Sequence, residues 1–242
     1  DPLWSRGLGD VYKRQHFILH ANPDGRKLAE QAVAQNLGAG WRKNVNLVDG
    51  YCKSPDDELM ARFIGPVDSG IDLNRNFPFG WDSTEGKGSS DDACEADFRG
   101  KAAASEPETA AIVQYVAGTR QQDGSFTGGL LRDRRIAAAK DFSTAAPDDY
   151  EGLYLDIHSY SQLVLWPWGV RREVLKGDSK TANDDGMAAF AQRLAWYNGY
   201  AADQMVGYDT EGTTTDTFYG ELGAPSFTIE LGTSFYEPCE DF

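Results

Sequence analysis

With 242 residues, 40% of them hydrophobic and 12% aromatic, the chain has enough apolar side chain for a sizeable core and lacks the composition of a disordered segment. A formal charge of −15 excludes the basic stripe a nucleic-acid binder needs, and no apolar run approaches the roughly 18 residues of a membrane helix. One soluble domain, monomeric and without nucleic-acid or membrane partners, is the expectation.

Residues 1–15 (DPLWSRGLGDVYKRQ) show no period and read as a non-native tail ahead of a domain spanning residues 16–242. Residues 16–21 read as a strand that enters the turn formers Asn22, Pro23, Asp24 and Gly25. A short helix over residues 26–37 follows, stopped by Gly38 and Gly40. Arg42 then lies in a Gly- and Asn-rich loop, and Asp72 to Phe77 (DLNRNF) in a second loop after a Gly-rich run. Residues 79–100 read as a long polar loop. A helix is predicted over residues 105–116, with Ser105 and Glu108 as a capping box and Ile112, Val113 and Val116 on its apolar face. Residues 119–149 read as a charged insertion carrying a helix over 130–140.

The apolar run from Tyr154 reads as a buried strand that delivers His158 where the sequence turns polar. Open α/β sheets put their chemistry at such strand ends, although a lone histidine there is ordinarily a hydrogen-bonded core residue. Residues 183–197 place Met187, Phe190, Leu194 and Tyr197 on one helical face expected to be core. Tyr208 follows in a Gly- and Thr-rich loop, and Thr214 or Thr215 caps a helix running to Leu222 and Gly223. Residues 226–231 form a strand with Glu230 near its end.

Four motifs in order, NPDG (22–25), DLNRNF (72–77), HSYSQLVLWPWG (158–169) and FTIELG (227–232), together with Trp41-Arg42-Lys43, resemble the zinc carboxypeptidases of the carboxypeptidase A type. The HSYSQ and GELGAPSFTIELGTSF segments and the acidic composition resemble bacterial secreted members more than animal digestive ones. The resemblance implies a single-domain mixed β-sheet flanked by helices on both faces, present here in part. It implies peptide or protein C-termini as partners and one Zn2+ held in part by His158. Glu230 would be the general base and Arg42 would help polarise the scissile carbonyl. Asn74, Arg75 and Tyr208 would grip the terminal carboxylate, with Ser159, Tyr160 and Thr215 also meeting substrate. Arginine suits the clamp because its planar fork meets both carboxylate oxygens and stays charged. Thr215 stands at a specificity position where neither an acid nor an aliphatic residue is present, and whether Asp216 beside it faces the pocket is open.

The resemblance also implies a Cys52–Cys94 bridge, with two free thiols as the alternative, and hence a secreted or periplasmic setting; Cys239 would be left over. Non-proline cis bonds are implied at Ser159–Tyr160 and Pro167–Trp168. One departure matters most. The family binds zinc through an H-x-x-E pair as well as a later histidine, and no H-x-x-E occurs in this chain. A catalytic zinc needs three protein ligands, so the chain as it stands is expected neither to hold zinc tightly nor to turn over peptide. Asp72, which resembles an acid orienting the missing histidine, would lose its partner. Two other readings stay open, a non-catalytic module binding peptide C-termini and a peptidoglycan amidase-like relative.

Overall fold

The computed structural model describes residues 14–35, 40–52, 69–170, 180–204 and 207–237. In chain order it forms α1 (Pro23–Ala34), a 3₁₀ turn (Leu73–Arg75), α2 (Pro107–Val116), the antiparallel pair β1 (Gly118–Arg120) and β2 (Phe126–Gly128), and a second 3₁₀ turn (Ala137–Ala139). Then come β3 (Tyr154–Ser159), β4 (Leu163–Leu165), α3 (Asp184–Asn198), β5 (Ala201–Asp203), α4 (Thr214–Leu222) and β6 (Ser226–Leu231). The expected tail lies almost wholly outside the described residues, as do Gly38 and Cys239.

The main sheet has the order β3-β6-β4-β5 and is mixed: β3 and β6 run parallel, β6 and β4 antiparallel, β4 and β5 parallel. Because strand side chains alternate between faces, Tyr154, Asp156 and His158 share one face with Thr228 and Glu230 of the neighbouring strand. Helix α4 covers that face, with Phe218 against Tyr154 at 4.5 Å between ring centroids and Thr214 bonded to Asp156. Helix α3 covers the other face, where Phe190 lies 5.1 Å from Phe227. Helices therefore sit on both faces of a mixed sheet, as expected.

All nine residues of α4 are buried. Phe218 and Leu222 pack with Phe77, Ile112, Val116 and Phe126, while Tyr219 packs with Phe79, Trp168, Met187 and Phe227, so this helix joins two apolar clusters. Its cap is Thr213, whose hydroxyl accepts from the Asp216 N–H, rather than Thr214 or Thr215; Gly223 closes it in the left-handed region (φ 78°). No helix among the described residues is long and apolar enough to cross a membrane.

The described structure revises several sequence expectations. Asn22, Pro23 and Asp24 start α1 instead of making a separate turn: the Asn22 side chain accepts from the Gly25 N–H at 2.9 Å and Pro23 opens the helix. Residues 16–21 find no ladder partner among the described residues and form no strand; Phe17 and Leu19 are 75% and 84% exposed. The Ser105 capping box is absent, because the Ser105 hydroxyl donates to Glu106, leaving Glu106 as the cap residue ahead of Pro107. Glu106 is itself gripped by Asn44 at 2.6 Å and by Asn46. Of the helix expected over 130–140 only the turn at 137–139 forms. The Leu130 and Leu131 N–H groups continue from the hairpin to Tyr115 and Val116 carbonyls, and Arg135 reaches out to three backbone carbonyls. The apolar stripe of α3 is Met187, Ala191 and Ala195, whose small side chains let the helix lie close to the sheet; Tyr197 is exposed and Phe190 only partly covered. Strand β3 is half-open rather than buried. Among the described residues it lies at the sheet edge, beyond the reach of α3, and Leu155 and Ile157 are exposed.

Cys52 and Cys94 are bridged, and both non-proline cis bonds expected from the resemblance are present, at Ser159–Tyr160 and Pro167–Trp168. The bridge closes a loop of 42 residues, for which the chain-entropy model gives about 4 kcal/mol. Cys52→Ser with Cys94→Ser should lower the denaturant-derived unfolding free energy by roughly that amount. A loss under about 1 kcal/mol would show the bridge to be incidental to the fold.

Candidate active site

Parallel pairing sets the centre of the site. The register places His158 directly opposite Glu230 on β6, on the face covered by α4. Asp156, one pleat earlier on β3, brings Oδ2 to 2.9 Å from His158 Nε2 and accepts a short hydrogen bond from the Thr214 hydroxyl. Asn74 joins them: its Nδ2 lies 3.3 Å from His158 Nε2, and its Oδ1 accepts from the Thr214 N–H at 3.0 Å, at the first turn of α4.

The arginines arrive from loops pinned by close backbone approach. Asn44 N–H donates to Ile71 O, and the Ile71 N–H donates to the Asn44 side chain, which lays residues 42–44 beside 70–72. Gly70 permits this contact, since at φ 104° a Cβ would stand 2.1 Å from the Asn44 carbonyl oxygen. Arg42 Nη2 then reaches Asp72 Oδ2 at 2.7 Å. Asp72, expected to lack the histidine it would orient, is paired here with an arginine. Its negative charge, working against burial, raises the Arg42 pKa. Arg75 is drawn in by Gly212, where a Cβ would meet the Arg75 carbonyl oxygen at 2.4 Å, and by the Phe77 N–H donating to Gly212 O.

Arg75 is the unusual cation. It is 3% exposed, Nη1 donates to the Asn74 carbonyl at 2.8 Å, and Nε has no hydrogen-bond partner; it forms no ion pair among the described residues. A buried guanidinium without a counter-ion is costly, so this position favours a carboxylate delivered from outside.

Burial pushes the Glu230 carboxyl up from its ordinary value, against the pull of His158. For His158, burial opposes the charged imidazole, but the Asp156 carboxylate hydrogen-bonded to it prevails and pushes it up to about 9. Asp156 is correspondingly lowered, burial notwithstanding, by the same imidazole. Arg42, Asn74, Arg75, His158, Ser159, Tyr160, Tyr208, Thr215 and Glu230 all line one cleft of about 2500 Å³. Tyr208 is half-exposed in its loop, and Tyr160 stacks edge-on against Phe235 at 4.7 Å. The Ser159 hydroxyl donates to the Phe235 carbonyl at 3.2 Å, tying β3's exit to the segment after β6. Two members of this cluster, Asp156 and Thr214, were not anticipated. The signal for Asp156 lies in the sequence, since it precedes His158 by two residues in a strand and must share its face.

The zinc fit can be tested on these groups. Among the described residues no three His, Cys, Asp or Glu side chains converge as a metal site. Of the two cleft imidazoles, His158 has Nε2 engaged by Asp156 at 2.9 Å and His16 has Nδ1 2.9 Å from the Tyr115 hydroxyl, so they do not converge on one ion. The described residues do not make a zinc centre.

A mixed sheet with helices on both faces, presenting an imidazole and a carboxylate at the ends of paired parallel strands, belongs to the α/β proteins that work at strand ends. Within that class the chain is a member of the zinc carboxypeptidase family, whose model matches residues 13–241. It is 29% identical over 222 residues to a metallocarboxypeptidase A-like protein of Trichophyton verrucosum, covering 87% of this chain and 39% of that one. It is 27% identical to carboxypeptidase A5 of Macaca fascicularis (93% and 41% covered) and 28% identical to carboxypeptidase B of Bos taurus (76% and 38%). The chain therefore spans about two fifths of the length of these relatives. In fold it is similar to the carboxypeptidase A of Helicoverpa armigera (TM-score 0.54, 24% identity, 90% of this chain and 42% of that one). It is similar also to bovine thrombin-activatable fibrinolysis inhibitor (TM-score 0.52, 21% identity, 98% and 68%).

Proposed function

We propose that this chain forms the substrate-holding and proton-transfer side of a zinc metallocarboxypeptidase, a cleft that receives the free C-terminus of a peptide. The observation that carries the reading is Arg75, buried and with no ion pair among the described residues, beside Asn74 in the cleft that also holds Glu230. Asn74 and Arg75 bind the terminal carboxylate, and Tyr208 from its loop closes against the substrate; Ser159 and Tyr160 meet the peptide further along. Fixing the terminus in this way orients the last peptide bond, which is a large part of how such enzymes lower a barrier. Glu230, its pKa raised by burial, is the group suited to take a proton from water at that bond and to return it to the leaving amine. Arg42, held by Asp72, faces the developing negative charge on the scissile oxygen.

Hydrolysis in this family depends on a zinc ion with three protein ligands, and the described residues do not supply them. Turnover is proposed for a polypeptide that also carries the H-x-x-E pair; for this chain the proposal is binding. An oxidising location, secreted or periplasmic, is supported by the Cys52–Cys94 bridge. The test is calorimetric titration with an N-acetylated tripeptide as free acid and as C-terminal amide. The acid should bind at least about tenfold more tightly, the equivalent of about 1.4 kcal/mol. Equal affinity for the two forms would remove the reading.

A further inference from the structure

The cleft that holds Arg75 is also lined by Thr210, Thr215 and Thr228, and the part of it they border is termed the recess. Thr228 stands two residues before Glu230 on the same face of β6, opposite Leu165 of β4. Thr215 comes from the first turn of α4, and Thr210 from the loop ahead of it. All line the cleft with Leu165 and Gly169. Gly169 has no side chain to fill this space, and the Thr210 hydroxyl lies where a Cβ there would fall, 2.1 Å from that position.

These hydroxyls have bonding capacity to spare. Thr228 makes no side-chain hydrogen bond among the described residues, Thr215 has only a 3.4 Å contact with Thr213, and Thr210 a 3.4 Å contact with the Gly169 carbonyl. Thr215 and Thr228 are 8% and 7% exposed, so little water reaches them. Asp216 also borders the cleft here, but it is 3% exposed, its oxygens face the Gly169 N–H at 3.2–3.3 Å, and burial favours its neutral form, so it offers little counter-charge to a ligand.

Resting on the carboxylate-binding reading above, we propose that this recess selects a C-terminal residue whose side chain carries an uncharged hydrogen-bonding group, the hydroxyl of serine or threonine or the carboxamide of asparagine or glutamine. A wall of underused hydroxyls rejects an apolar isostere because burying the isostere strips their water and returns no bond. An alkylammonium side chain must shed its strong hydration to enter, and neutral hydroxyls return less for that loss than a carboxylate would.

Isosteric ligand pairs test this on the unaltered chain: N-acetylated tripeptides differing only in the last residue, threonine against valine and asparagine against leucine, with lysine as the cationic comparison. By calorimetry the threonine and asparagine peptides should bind about tenfold more tightly than their apolar partners and more tightly than the lysine peptide. Thr215→Val combined with Thr228→Val should bring both ratios to about one. Valine or leucine binding as well as its partner overturns the proposal, as does preference for lysine or a ratio unchanged in the double variant. Should the double variant not fold, the ligand pairs decide alone. If every peptide binds equally as acid and as amide, the carboxylate reading itself has failed; if acids are preferred but the pairs are not distinguished, only the selectivity has.

Discussion

Arg75→Met should weaken binding of a free-acid peptide by about 10²- to 10³-fold, leave the C-terminal amide nearly unaffected, and raise the melting temperature. Truncating one partner of a desolvated charge pair ordinarily costs 2–5 kcal/mol of binding, which sets the size of the first effect. The second is less usual for a buried residue. Among the described residues the Arg75 guanidinium, at 3% exposure, has an unbonded Nε and one hydrogen bond, to the Asn74 carbonyl. Methionine fills similar length without a charge to desolvate, so the unliganded fold gains what the liganded one loses. Calorimetry with acid and amide peptides, together with thermal melts, separates the outcomes. A fall in melting temperature with acid binding intact would make Arg75 a structural group whose partner lies elsewhere.

The parts of this site that could be read from sequence are those carried by short runs. His158 and Glu230 each close a strand recognisable from its apolar run, and their juxtaposition follows once β3 and β6 pair in parallel with His158 opposite Glu230. Asn74, Arg75 and Arg42 were legible through resemblance alone. Nothing in the local sequence shows that residues 42–44 lie against 70–72, because that pairing depends on Gly70 tolerating the Asn44 carbonyl. For the same reason the Arg42 partner of Asp72 could not be read from sequence: it is thirty residues away and reaches Asp72 only through this contact. Periodicity also overstated burial. It marked the apolar side chains of β3 and α3 correctly, but which of them are covered depends on where α3 crosses the sheet, and Leu155, Ile157 and Tyr197 fall outside that footprint. The β1–β2 hairpin went unread inside a stretch treated as an insertion, although Asp123-Gly124 between the two runs is a recognised hairpin signal.

Asp216→Asn should stabilise the chain in a strongly pH-dependent way. Burial pushes the Asp216 carboxyl up to about 7 from an ordinary value of 3.8, outweighing the Gly169 N–H, the Thr213 hydroxyl and the Arg75 charge, which pull it down. The folded chain therefore keeps a proton there that the unfolded chain releases across the window from about pH 4 to pH 7. Where the unfolded state binds fewer protons, stability falls as pH rises, so the wild-type carboxyl is neutral in its effect at pH 4 and a liability above pH 7. At about 1.4 kcal/mol per pH unit the full penalty is at most about 4 kcal/mol. Part of it is offset by about 0.3–1 kcal/mol that a negative charge gains at the first turn of α4. Asparagine keeps a carbonyl oxygen for the Gly169 N–H and never ionises, so the variant escapes the penalty. Melting curves of parent and variant should nearly coincide at pH 4 and separate progressively to pH 8, with the variant the more stable. The opposite order at pH 8 would mean that the carboxylate is ionised and well held by α4 and Gly169, and that Asp216 supports the fold through its charge.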